Sequence, residues 1–158
     1  MSSAVGSSLV SPEQRLSELG IELPVVPPLD GPRLKRVVIQ GNLAFISGDG
    51  DDTVTGYVGA DVSIEDAAQA ARTTAHRHCV VLRETLGSLD AVERWVKTLV
   101  LVRSAPGFAH QPAVGNGYAN AIAELWGDDR GLGARSAIGV AELPGGMAVE
   151  VEAIVALA

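Results

Sequence analysis

Along the chain, runs of alternating or β-branched residues take turns with stretches of helical period. Val37-Val38-Ile39 and Leu43-Ala44-Phe45-Ile46 flank Gly41-Asn42, a spacing that predicts a hairpin with a tight turn. From Ser63, a cap with Asp66 three residues on, apolar or small residues recur at Ile64, Ala67, Ala71, Ala75, His78 and Leu82, which predicts a helix ending near Gly87. Val92 to Val102 forms a long β-branched run, broken at Pro106-Gly107. A second helix is predicted from about Gln111-Pro112 to Gly127, with Val114, Ala121, Ile122 and Leu125 as its apolar stripe and Asn116 in its early turns. Two last runs, Ala134 to Glu142 and Ala148 to Leu157, surround Leu143-Pro144-Gly145-Gly146 and predict a second hairpin. In the final run Val149, Val151, Ala153, Val155 and Leu157 share one face, while Glu150, Glu152 and Ile154 share the other.

The resulting order is ββαβαββ, an α+β domain with a mixed sheet and two helices on one face. The sheet face that carries the glutamates is then left for a subunit contact or a site. Ahead of this domain, a Ser/Gly-rich start, expected to be mobile, leads to Ser11-Pro12 and Gln14, a helix N-terminus by its hydroxyl cap and first-turn proline. Gly20 ends that helix, and Pro24, Pro27 and Pro28 impose an extended connector. Residues 1–33 therefore form an N-terminal extension and 34–158 the main domain. The polar stretch Asp49-Gly50-Asp51-Asp52 predicts a loop over the sheet edge.

Composition changes this picture in two ways. With 47% hydrophobic but only 4% aromatic residues, the core must be mainly aliphatic, and with 20% charged residues one chain of 158 exposes enough apolar surface to favour an oligomer. Twelve Lys and Arg against nineteen Asp and Glu leave a net charge of −7, which disfavours nucleic acid and anionic membrane surfaces. The short basic stretch Arg33, Lys35, Arg36 lacks the interleaved aromatics of a strand binder. A lone Cys79 suits a reducing compartment. The start has no basic leader pattern, and no run of about 18 apolar residues occurs, so the expectation is a cytoplasmic protein without membrane contact.

Most catalytic motifs are absent. Gly48-Asp49-Gly50 lacks the third glycine of a dinucleotide loop, and no phosphate-binding Gly-Lys-Ser/Thr loop exists. The acidic run from Asp49 has Val54 and Ala60 where a calcium loop needs glycine and glutamate. His76 and His78 stand about 200° apart around a helix, and His110 is alone, so no metal site is expected. No nucleophile elbow or ordered triad occurs. What remains is Arg135 opening the fourth strand, with Glu150 expected opposite it on the fifth. An arginine in an apolar strand seeks an anion, and its planar fork suits a carboxylate; that anion is either a ligand or Glu150 itself. Residue chemistry leaves the catalytic site and the plain ion pair equally open.

The segment from Ala134-Arg135-Ser136 to Leu143-Pro144, continued by Val149-Glu150-Val151-Glu152-Ala153-Ile154, resembles the signature of the reactive-intermediate deaminase (Rid, YjgF-like) family. Leu43 to Gly48, Gly56 to Asp61 and Asn116-Gly117 extend the likeness over roughly residues 34 to 157, and the prefix from Ser11 to Pro24 is similar to a longer-chain branch. The resemblance implies a chorismate-mutase-like fold and a homotrimer with clefts between subunits. It also implies hydrolysis of 2-imino or enamine acids to 2-oxo acids and ammonia, without metal or organic cofactor. It assigns Arg135 to the substrate carboxylate, Glu150 to the attacking water, and Ser47 and Asn116 to polar pocket positions. Leu34 stands where many members carry tyrosine, Asp49 follows Ser47-Gly48 where glutamine is usual, and Ala137 replaces a frequent cysteine. These changes point to altered selectivity. The alternatives are a carboxylate-binding trimer without turnover and a tailoring enzyme for a larger substrate. The ribonuclease role sometimes attached to the family finds no support in a −7 chain lacking a histidine pair.

Overall fold

A computed structural model describes residues 9–31 and 33–158; most of the Ser/Gly-rich start lies outside these residues. Its elements are α1 (Pro12–Leu19), β1 (Val37–Gln40), β2 (Leu43–Asp49), α2 (Ile64–Leu86), β3 (Val92–Arg103), α3 (Gln111–Gly131), β4 (Ala134–Val140) and β5 (Val149–Leu157). The caps follow the side chains. Ser11 accepts from the Gln14 amide and Ser63 from the Asp66 amide, and α1 and α2 end on Gly20 and Gly87 in the left-handed region. At Gly127, expected to end α3, the backbone leaves helical geometry (φ 76°) and then resumes as far as Gly131.

The five strands run in the order β1-β2-β5-β3-β4. All pairs are antiparallel except β3 and β4, which are parallel with Thr98 opposite Arg135. The expected second hairpin does not form. A helical crossover through α3 returns β4 beside β3 in the same direction, as such a connection requires. The Leu143–Gly146 segment then makes a short 3-10 turn, after which β5 enters between β2 and β3. Turn residues at 143–146 are real, but the chain they redirect passes across β3 rather than folding back on β4.

Both long helices cover one face of the sheet. Val100, Val102, Val149, Val151 and Val155 are buried there against Ala67, Ala71, Ala75, Leu82, Val114, Ile122 and Leu125. The helices touch at Gly117, where a Cβ would collide with the Ala68 carbonyl. An aromatic chain crosses this core: Trp126 to Trp95 (ring centres 5.5 Å apart), Trp95 to Tyr118 (5.8 Å) and Tyr118 to His78 (5.6 Å), all edge-on. The opposite sheet face is open, with Phe45, Ile138 and Glu152 exposed on it. The N-terminal segment is bound to the same core through buried Leu16 and Val26. Glu13 accepts from Arg83 Nε (3.0 Å) and Nη2 (2.6 Å) and from the Leu89 amide (2.9 Å). Among the described residues no helix is long and apolar enough to cross a membrane.

Candidate functional site

Arg135 lies on the edge strand β4, on the side covered by α3, because it shares its face with Thr98 and, through Thr98, with the buried core position Ala153. Gly115 of α3 makes room: a Cβ there would sit 3.1 Å from Arg135 Nη1. Nη1 donates to Asn116 Oδ1 at 3.0 Å, and the two side chains line a cavity of about 520 Å³ with Thr98, Tyr118, Asn120 and Gly133. The side-chain amide fixes one prong of the guanidinium without neutralising it. Among the described residues no carboxylate pairs with Arg135.

Glu150 does not lie opposite Arg135, which corrects the expected neighbour relation and removes the ion pair within one chain. It sits on β5, with β3 between it and β4, and pairs with Leu101, three residues beyond the Thr98 that pairs with Arg135. An odd number of residues also puts the two side chains on opposite faces of the sheet. Two strand spacings across and three residues along are each about 10 Å. The cause is the strand order: hairpin pairing would have made β4 and β5 adjacent, whereas the crossover separates them.

The surroundings of Glu150 are built by a β-bulge. Ile46 pairs with Ala153 and Asp49 with Val151, so Ser47 and Gly48 together face a single residue of β5. Glu150 packs over this bulge, and a Cβ at Gly48 would run into its carboxylate, with Cδ at 3.0 Å. Burial raises the Glu150 carboxyl above its usual range, and the negative charges of Asp49 and Glu152 push it the same way. Asp49 itself turns to the helix side and is held by Arg77, Nε to Oδ2 at 2.9 Å and Nη2 to Oδ1 at 3.1 Å.

The remaining expected residues gather in part. Ser47 donates its hydroxyl to the Lys35 carbonyl (2.6 Å) and, with half-exposed Leu34, lines a second cavity of about 70 Å³ beside the bulge. Asn116 belongs with Arg135. Ala137 shares the Arg135 face two residues along β4 and packs partly buried against the core. A single chain thus brings the expected residues into separate groups: Arg135 with Asn116, Glu150 over Gly48, and Leu34 with Ser47 beside the bulge. The sequence reading missed Arg77 as the partner of Asp49, 28 residues away, and the pairing of His78 with Tyr118, having placed His78 in the helix stripe and set it aside as a metal ligand. His78 Nδ1 lies 2.7 Å from the Tyr118 hydroxyl, its Nε2 is buried without a partner, and burial pushes its pKa down to about 4. Its polar identity within an apolar helical stripe was the available cue.

Among the described residues no three His, Cys, Asp or Glu converge as metal ligands. Burial drives the Cys79 thiol up to about 12, which keeps it inert. Tyr57 and Arg103 both bond Glu142, with the guanidinium 3.9 Å from the Tyr57 ring centre, so this outer cluster satisfies itself.

Residues 31–157 match the family model described as Endoribonuclease L-PSP. Protein TCP17 of Trypanosoma cruzi is 38% identical over 149 residues, covering 90% of this chain and 91% of that one. The crystal structure of Atu1372 from Agrobacterium tumefaciens, a protein of unknown function, shares 36% identity over 92% of this chain and 91% of its own, with a TM-score of 0.81. RidA from an Antarctic Psychrobacter has the same fold at 22% identity, covering 82% of this chain and 93% of its own, with a TM-score of 0.55.

Proposed function

The chain belongs to the Endoribonuclease L-PSP family, which includes the Rid proteins, and from that premise we propose that it hydrolyses 2-imino or enamine acids to 2-oxo acids and ammonia. The observation that carries this reading is Arg135: a guanidinium on a cavity wall, oriented by Asn116 and without a carboxylate partner among the described residues. Its remaining donors match the fork of a substrate carboxylate. Glu150 supplies the second function. A carboxylate held above its usual range is better matched to taking a proton near neutral pH.

In this scheme Arg135 anchors the anionic end and presents the C=N carbon to water. Glu150 accepts a proton as the water oxygen bonds to that carbon, then returns it to nitrogen. Glu150 then takes the carbinolamine's hydroxyl proton and passes it to the amine, the C=O bond forms as the C–N bond breaks, and ammonia leaves a 2-oxo acid. No metal or organic cofactor enters. Because the two residues lie on opposite faces of one chain, they can share a substrate only across a contact between chains; the homotrimer with intersubunit clefts meets that need. The open, partly apolar sheet face agrees with such a contact.

A larger substrate is favoured by one observation. The Arg135 cavity, about 520 Å³, falls within the range of about 300–1,000 Å³ typical of pockets for drug-sized ligands. The endoribonuclease description of the family model gains no support from a chain of net charge −7. The deciding experiment couples an amino-acid oxidase to the protein and follows decay of the released imine, with light scattering in parallel. Decay faster than buffer by a trimer upholds the reading; decay at the buffer rate, or a stable single-chain mass, overturns it.

A further inference from the structure

The sheet side of the Arg135 cavity carries a polar group that the fold leaves unused. Thr98 pairs with Arg135 in the parallel register, so both side chains leave the sheet towards α3, but they end at different heights. The long arginine reaches the helix, where its guanidinium passes Gly115 and meets Asn116. The short threonine stays at the sheet, lines the cavity and is only 8% exposed. Thr74 and Thr85, on α2, donate their hydroxyls to a carbonyl one turn back, at 2.9 and 2.7 Å. A strand residue has no such carbonyl, and among the described residues the Thr98 hydroxyl makes no hydrogen bond. A buried hydroxyl on a cavity wall calls for a partner within the cavity.

Resting on the cleft proposed above, we propose that Thr98 reads the substrate's side chain, and that the preferred 2-imino acids end there in a hydroxyl or carboxamide rather than in an aliphatic or cationic group. The polar atoms around the cavity favour such an end. A guanidinium can only donate, so Asn116 turns its oxygen to Arg135 and keeps its NH₂ as a free donor. Thr98 and Asn120 are uncharged and can each donate or accept. Among the described lining residues Arg135 alone is charged, so an ammonium end would find no carboxylate and would face a like charge. An aliphatic end would seal the Thr98 hydroxyl without a partner. The stem of the side chain has apolar walls to lie against: Ile122, Leu132 and the ring of Tyr118, whose hydroxyl is already engaged with His78.

The test titrates the full chain, followed by NMR, with saturated acids ending in a carboxamide (succinamate, glutaramate, adipamate) and with their shape-matched aliphatic counterparts (4-methylpentanoate, 5-methylhexanoate, 6-methylheptanoate). At one chain length at least, the carboxamide should bind about three- to ten-fold tighter, the range of one neutral hydrogen bond, and 5-aminopentanoate should bind more weakly than that carboxamide. Thr98→Val keeps the shape without the hydroxyl and should erase the preference, whereas Thr98→Ser should retain it. No preference at any length, a preference that survives in Thr98→Val, or 5-aminopentanoate binding as tightly as the carboxamide would overturn the assignment. Should Thr98→Val fail to fold, the Thr98 γ-methyl signal of the parent, identified by its loss in Thr98→Ser, decides: a larger shift with the carboxamide upholds the assignment and equal shifts overturn it. If none of the acids binds, the carboxylate reading of Arg135 fails, and butanamide, which has the tip without the carboxylate, decides Thr98 alone. A γ-methyl shift with butanamide upholds its role and no shift overturns it.

Discussion

Asp49 and Arg77 close a two-pronged ion pair that fastens the end of β2 to α2, at 2.9 and 3.1 Å. The carboxylate that replaces the usual glutamine of the family pattern is therefore compensated inside the fold and does not project an unbalanced charge into the cleft. Asp49→Asn should have two effects. Arg77, half-buried, loses a charged partner, and stability should fall by about 1–3 kcal/mol in thermal or urea unfolding. Glu150 loses a negative neighbour, so its carboxyl drops towards the usual range while burial still holds it above. The acid limb of the imine-hydrolysis pH profile should move to lower pH. An unmoved limb would count against Glu150 as the proton acceptor.

Arg135→Ala should reduce imine hydrolysis by at least about 10- to 150-fold, the equivalent of a lost charge-assisted contact of about 1.5–3 kcal/mol. Among the described residues its side chain makes one hydrogen bond, to Asn116, so the melting temperature should hardly change. Lysine should rescue poorly, because a point charge cannot reproduce a planar fork. A folded alanine variant with full activity would remove the proposed role.

Gly48→Ala tests the bulge. Gly48 is not among the positive-φ glycines, so the backbone accepts alanine and the whole penalty is steric, against the Glu150 carboxylate. Overpacking of this kind costs about 1–3 kcal/mol. Adding Glu150→Ala should recover most of that loss, a coupling that urea midpoints of both single variants and the double variant will measure. Strictly additive losses would show that the two positions do not touch.

Glu13 gives a pH-dependent contribution of known sign. Hydrogen bonding from Arg83 holds its carboxyl below the usual range, with the Leu89 amide acting the same way. The ionised form is favoured only in the folded state, so the stabilisation is complete above the ordinary carboxylate range and is lost as pH falls through the depressed value. Glu13→Gln should cost about 1 kcal/mol at pH 7, a modest figure because both side chains are partly solvated. The gap between variant and parent should be full at pH 7 and should narrow at the lowest pH at which the parent stays folded. Urea titrations at the two pH values check this.

Much of the fold was legible because its signals are local. Ser11, Ser63, Gly20 and Gly87 mark helix ends through hydrogen bonds made within a few residues. Period-two alternation sorts β5 into its valine and glutamate faces without knowledge of its neighbours. Strand order was not legible, since Leu143 to Gly146 carries the same turn chemistry whether β5 folds back on β4 or crosses β3. That one ambiguity displaced Glu150 from Arg135. The parity of Arg135 with Ala137 and Gly139, small residues suited to lie under a helix, was a cue that the arginine faces inward. The pairs Asp49–Arg77 and His78–Tyr118 join residues 28 and 40 apart, and no spacing rule reaches that far.

The edge-on chain of Trp126, Trp95, Tyr118 and His78 also makes the protein its own optical gauge. Both tryptophans of the sequence are in it, each about 1% exposed, and neither lines the Arg135 cavity or the one beside the bulge. Emission from the pair reports one place, the seam between α3 and the sheet. It should be short in wavelength while that seam is dry, and should shift to the red only when water enters it. Fluorescence will therefore follow loss of the core while remaining indifferent to loss of the clefts, and the difference between the two can be read on one sample.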